Sequence, residues 1–211
     1  MISKIVIGLL SLCMIVVAPM AVSDHLTSHP DYTAPRSYVR LVYNDDGNGS
    51  GVMIAPNRML TAAHVADILT ETNPLFVEGK KVRKVLKIDR DRDIALLDVD
   101  ADCPCAPLGD LPKIDEAIIV VGYPINKAIQ VQIITTGTYQ GLIADKTRLV
   151  TTAPASFGNS GGGLFLFHNG KWELIGILVA MSGQNSSVPF VGVPYNDVTF
   201  STRIPDEYKP N

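Results

Sequence analysis

Charge is scarce in this sequence. Asp, Glu, Lys and Arg supply 18% of its 211 residues, and acids exceed bases by three. A chain with no basic excess lacks the electrostatic footprint that a phosphate backbone selects, so nucleic acid is excluded as a partner. The one basic run, Lys80-Lys81-Val82-Arg83-Lys84, reads as a solvated strand face. Cysteine is almost missing, with three residues, and histidine is limited to four. Cys103 and Cys105 can close a Cys-Pro-Cys ring that staples one turn, or remain free thiols. No histidine lies near enough to complete a metal set with them, so neither metal nor cofactor is expected. No segment past the N-terminus keeps an apolar period of 3.6, which makes helices minor, and no internal repeat is visible. What is abundant is apolar residues, at 46%, enough for a buried core and too many for a disordered chain.

The first 23 residues form a separate object. Lys4 gives a positive start, Ile5 to Val17 an apolar run, and Ala21-Val22-Ser23 the small residues a signal peptidase reads. Cleavage is expected before Asp24, with export to the periplasm or medium. The alternative is an uncleaved membrane anchor, since the apolar stretch to Val22 nearly suffices to span. Leu12 is too large for a lipoprotein acylation box at Cys13.

Residues 24–36 are polar and read as a tail. From Ser37 onward the pattern is short β-rich runs broken by turn residues, such as Asn44-Asp45-Asp46-Gly47-Asn48-Gly49. Strands are predicted at 38–43, 50–54, 59–62, 75–77, 81–89 and 94–99, with one or two helical turns over 65–69. A proline-bearing connection at 103–113 separates these from a second series at 117–121, 129–139, 147–152, 163–168, 171–181 and 188–193. Two runs of about six strands predict an all-β protein made of two packed six-stranded antiparallel barrels. The first covers about 37–102 and the second about 114–195, within one domain over 37–211.

Three segments carry chemistry: Thr61-Ala62-Ala63-His64, Asp93-Ile94-Ala95-Leu96-Leu97 and Gly158-Asn159-Ser160-Gly161-Gly162. A serine hydroxyl is a poor nucleophile until an imidazole takes its proton. The imidazole in turn needs a carboxylate on its other nitrogen to fix tautomer and orientation. His64, Asp93 and Ser160 are the candidate base, orienting acid and nucleophile, in a cleft between the barrels. Asp89, Asp91 and Asp98 are rivals for the acid, while His25, His29 and His168 read as ordinary tail and turn residues.

With Gly49-Ser50-Gly51-Val52-Met53-Ile54 before the histidine segment, these motifs resemble the trypsin-like (chymotrypsin-fold) serine endopeptidases, nearer to bacterial HtrA-type protease domains than to digestive trypsins. The likeness runs from about Tyr38 to Pro194. It implies two β-barrels, polypeptide substrates and peptide hydrolysis through an acyl-enzyme, with the N–H groups of Gly158 and Ser160 as oxyanion hole. It also implies a primary pocket between residues 152–157 and the strand at 177–182, with Val179, Ala180 and Met181 against the substrate as an added strand. Pro154 stands where a trypsin-type pocket has its aspartate, so an apolar or small residue is expected at the cleavage site rather than Arg or Lys. No Ile-Val-Gly-Gly segment is present for zymogen-type activation. The sequence given ends soon after the second strand series, so no appended peptide-binding (PDZ) module is expected. Two other readings stay open, a peptide-binding module without turnover and an esterase using the same triad. Composition does not fix the oligomeric state.

Overall fold

The computed structural model describes residues 31–68, 72–124, 130–143, 147–181 and 198–210. Helix α1 (Thr33–Tyr38) leads into β1 (Val39–Tyr43), β2 (Asn48–Ala55), β3 (Arg58–Thr61), helix α2 (Ala63–Ala66), β4 (Phe76–Val77), β5 (Lys80–Lys81), β6 (Lys84–Asp89) and β7 (Ile94–Asp98). These seven strands form one antiparallel sheet in the order β5-β4-β1-β2-β3-β7-β6. After the connection come β8 (Ala117–Gly122), β9 (Ile133–Leu142), β10 (Arg148–Thr151), β11 (Gly163–His168), β12 (Lys171–Met181) and β13 (Thr199–Arg203). They close into a barrel in the order β10-β13-β12-β11-β8-β9, and a 3-10 turn at Asp206–Tyr208 follows.

The alternation of side chains across a strand explains how one short chain builds three cores. Along β2, Val52 and Ile54 face one way and Met53 the other. Met53 joins Val42, Met59, Leu75, Val77 and Leu97 inside the first sheet. Val52 and Ile54 join Leu60, Ile94, Ile119, Val121, Phe165 and Leu174 in a layer between the two halves. Ile118, Val120, Tyr139, Leu149, Leu164 and Ile175 fill the barrel. The β11–β12 hairpin turns on Asn169 and Gly170, both at positive φ (50° and 77°), as a two-residue hairpin loop requires.

The expected fold holds, with three differences of layout. The first half is an open, curled sheet of seven strands, because β4 and β5 add to the free edge of β1 instead of closing the sheet. The strand that closes the barrel is β13, past the expected limit at 195, whereas the predicted strand at 188–193 lies outside the described residues. β13 escaped notice because it is rich in hydroxyls. Thr199, Ser201 and Thr202 are buried all the same, and two of them find partners: Thr199 pairs with the Thr151 hydroxyl at 2.6 Å, and Thr202 donates to the Arg92 carbonyl. Residues 33–36, assigned to the tail, begin α1 instead, held by Tyr32 against Trp172 (5.5 Å between ring centres) and Tyr38 against Phe165 (6.1 Å). Cys103 and Cys105 are paired as a disulfide. The N-terminal segment at 1–23 lies outside the described residues.

Candidate active site

Register alone brings the first two candidates together. β3 and β7 are antiparallel with Thr61 opposite Ala95, so the chain leaving β3 and the chain entering β7 meet at one end of the sheet. Ala62 and Ala63 are fully buried there, and their small side chains let α2 start at once, which places His64 in its first turn. The Asp93 carboxylate accepts the His64 backbone N–H at 2.9 Å with one oxygen and lies 2.7 Å from His64 Nδ1 with the other. Two bonds to one residue fix both the position and the rotation of the imidazole.

Asp93 reaches this geometry with φ 56°, a left-handed conformation that Asp tolerates better than most residues. The turn before it is held by Asp89, which accepts from the Arg92 backbone at 3.0 Å and its guanidinium at 3.1 Å. Burial works against ionisation of Asp93. The His64 ring and backbone hydrogen bonds, with the charges of His64 and Arg148, more than offset it and hold the carboxyl below its usual range. An ionised carboxylate can only accept, so Nδ1 carries the proton, and in the neutral ring Nε2 is the nitrogen that keeps its lone pair. Two of the rivals are occupied elsewhere: Asp89 pairs with Arg92 at 3.1 Å and Asp98 with Arg83 at 2.8 Å.

Ser160 comes from the barrel half. The Ser156 carbonyl accepts from the Asn159 N–H at 3.1 Å, and Gly158 has φ 92°, the signature of a type II turn with glycine in its third place. Gly161 (φ 84°) then donates to the Leu178 carbonyl at 2.7 Å, tying the loop to β12. A Cβ on Gly161 would collide with the Ser50 carbonyl and the Thr61 hydroxyl, so only glycine fits. Among the described residues, neither the Gly158 N–H nor the Ser160 N–H has an acceptor. His64, Gly158 and Ser160 line one cavity of about 370 Å³ with Val65, Ile68 and Phe157. No hydrogen bond joins Ser160 to His64 among the described residues, a looseness common in active sites without substrate.

Ser50 is a residue of this site that the sequence reading passed over. It is fully buried. Its N–H donates to the Ser160 carbonyl at 2.7 Å and its hydroxyl to the Gly158 carbonyl at 2.9 Å. That hydroxyl also accepts from the Tyr123 N–H at 2.9 Å, and Thr61 donates to the Ser50 carbonyl at 2.6 Å. A polar side chain between two glycines, just before the apolar run Val52-Met53-Ile54, was the available signal.

The expected substrate strand divides. Val179 is buried in the first-sheet core, so it offers backbone rather than side chain, while Ala180 is half-buried. The Met181 side chain lies outside the described residues. β11 stops pairing with β12 at Ile177, whereas β13 pairs with it as far as Met181. The backbone of 179–181 is therefore paired with β13 on one side and unmatched by β11 on the other.

The sequence profile of the trypsin-like peptidase domain family matches residues 49–177, which take in all three candidates. The chain belongs to that family. It is 32% identical over 178 residues to the chloroplastic Protease Do-like 2 of Arabidopsis thaliana, a match covering 77% of this chain and 28% of the relative. The chain spans between 17% and 31% of the length of the curated relatives it matches. Among solved structures, the serine endoprotease from Yersinia pestis superposes with a TM-score of 0.64 at 23% identity, over 82% of this chain and 62% of that one. The inactive form of Rv3671c from M. tuberculosis, as its Ser-to-Ala mutant, gives 0.63 at 20% identity, over 84% and 86%. At these identities the likeness speaks for the fold. This trypsin-like peptidase domain thus has the expected all-β architecture, one closed barrel and one curled sheet.

Proposed function

We propose that this trypsin-like peptidase domain is a serine endopeptidase. The observation that carries the reading is a doubly hydrogen-bonded Asp93–His64 pair facing Ser160 across one cavity. Ser160 Oγ attacks the scissile carbonyl while His64 Nε2 takes its proton. The N–H groups of Gly158 and Ser160, which have no acceptor among the described residues, receive the developing oxyanion, an interaction in which losing one donor costs roughly 2.7–4 kcal/mol. The protonated imidazole, steadied by Asp93, then protonates the leaving amine, and water repeats the cycle on the acyl-enzyme. The unmatched edge of 179–181 supports an extended polypeptide as substrate, added as a strand. Pro154 and Ala180 at the expected pocket support an apolar or small residue at the cleavage site. The apolar N-terminal segment supports export, with action outside the cytoplasm.

Fluorophosphonate labelling and peptide hydrolysis test the assignment together. The native protein is expected to label at Ser160 and cleave, and Ser160→Ala to lose both, with kcat down by roughly 10⁶-fold. A folded native protein that neither labels nor cleaves would sink the reading.

A further inference from the structure

The hydrolytic mechanism uses two walls of the cavity beside Ser160 and leaves the others without a role. Those others are apolar. Val65 and Ile68 come from α2 and the residues just after it, and Phe157 from the nucleophile loop, with the turn 46–48 at the rim. Phe157 is 83% exposed, the most open of the large apolar side chains among the described residues. Its ring lines the cavity together with Val65 and Ile68, where an apolar ligand can be covered from three sides. Asp46 at the rim accepts from Asn73 Nδ2 at 2.6 Å, which positions its carboxylate, while the walls nearest His64 and Ser160 are the apolar Val65, Ile68 and Phe157.

The chemistry tells which part of a substrate this cavity meets. A carbonyl over the Gly158 and Ser160 N–H groups directs its acyl side along the 179–181 edge, and among the described residues no β12 side chain lines the cavity. The leaving amine must lie toward His64, which protonates it. His64, Val65 and Ile68 are on this side. The volume of about 370 Å³ is in the range of small ligand sites and takes one or two side chains.

We propose that this cavity is a leaving-group subsite that binds an apolar side chain on the C-terminal side of the scissile bond, with Phe157 as the specificity-determining contact. The proposal rests on the serine endopeptidase reading and adds the substrate class on one side of the cut.

Partitioning of the acyl-enzyme reads the subsite directly. An N-acylated alanine or valine p-nitrophenyl ester acylates Ser160, and release of nitrophenol reports that step alone. Added amino-acid amides then compete with water. The amine nitrogen bonds to the acyl carbon, the Ser160 Oγ–acyl bond breaks, and His64 Nε2 moves the amine proton to Oγ. Leucinamide and phenylalaninamide are expected to capture the acyl group about tenfold better than glycinamide. Phe157→Ala should shrink that preference to within about threefold, and Ile68→Ser should also reduce it. Phe157→Leu, still apolar, should restore most of it. Each preference is a ratio within one preparation, so a misfolded fraction does not enter. Indifferent capture by the native enzyme, or better capture of argininamide, would overturn the apolar subsite while leaving the endopeptidase reading intact. Failure to acylate at all would overturn both.

Discussion

The two halves solve the same problem differently. The open sheet holds the candidate base and acid as a finished unit, because the β3–β7 register sets residues 29 apart in sequence against each other. The closed barrel carries the candidate nucleophile on a loop whose shape it does not determine alone. Gly161 and Leu178 fasten that loop from within, and Ser50 of the open sheet fastens it from across the boundary. Orientation of the base is thus a local property, whereas alignment of the nucleophile depends on how the halves meet. The layer between them, from Val52 and Ile94 to Phe165 and Leu174, positions the candidate site as well as forming a core.

The sharpest way to break this comparison is inside the local unit. Asp93→Asn keeps an acceptor for the His64 backbone N–H yet can present an NH₂ to Nδ1, favouring the wrong tautomer. kcat should fall by roughly 10⁴-fold, the size this change has in a Ser-His-Asp triad, with the label on Ser160 slowed in step. The carboxyl also carries a pH signature. Its folded pKa lies below the usual 3.8, so its stabilisation is present above that value and lost as pH falls through the lower, folded one. The difference between native and variant urea midpoints should shrink as pH falls through this range, while Asp89, Glu173 and Asp206, also lowered, remain in both proteins and cancel. A loss under tenfold in kcat would mean that the base is oriented by something else.

A smaller effect is expected across the boundary. Ser50→Ala removes the hydroxyl that grips the Gly158 carbonyl and strands the Tyr123 N–H. With the turn less constrained, the Gly158 N–H is aimed less well, and kcat should drop about 10- to 100-fold with little change in KM. Binding of a peptide aldehyde, which forms the tetrahedral adduct, should weaken by the same factor per titrated active site. If instead the variant loses only folded fraction, kcat per active site will be unchanged, and Ser50 is then a packing residue.

Much of the chemistry was legible because it is written in short segments. His64, Asp93 and Ser160 each sit in a run whose small or glycine residues fit the backbone they adopt, and the strand runs around them alternate cleanly. What the sequence hid depends on partners distant in the chain. Thr199 and Thr202 look like loop residues until Thr151 and the Arg92 carbonyl are seen to satisfy them. Ser50 looks like an ordinary strand residue until the loop that carries Ser160 closes over it. Val179 looked like a substrate contact, but packing against the other half claims its side chain.

The mildest test addresses the second place where the barrel half reaches the open sheet. After β13, the 3-10 turn lays Tyr208 against β6, its ring 4.6 Å from Lys87 Nζ, while Glu207 stands 3.8 Å from both Lys87 and Arg92. Tyr208 is 1% exposed and its hydroxyl has no partner among the described residues. Burial, with the negative charges of Asp89 and Glu207, pushes its pKa up to about 12. A pKa raised in the folded state means the contribution is whole below pH 10 and disappears as pH climbs toward 12. Native protein and Tyr208→Phe should therefore differ little near neutrality, and diverge by about 2 kcal/mol over that interval, the native protein losing more. Tyr123 and Tyr139, also raised, remain in both proteins and cancel in the difference. Parallel stability curves to pH 12 would show that the turn leaves the open sheet readily, and the boundary would then rest on the apolar layer and the Ser50 bonds alone.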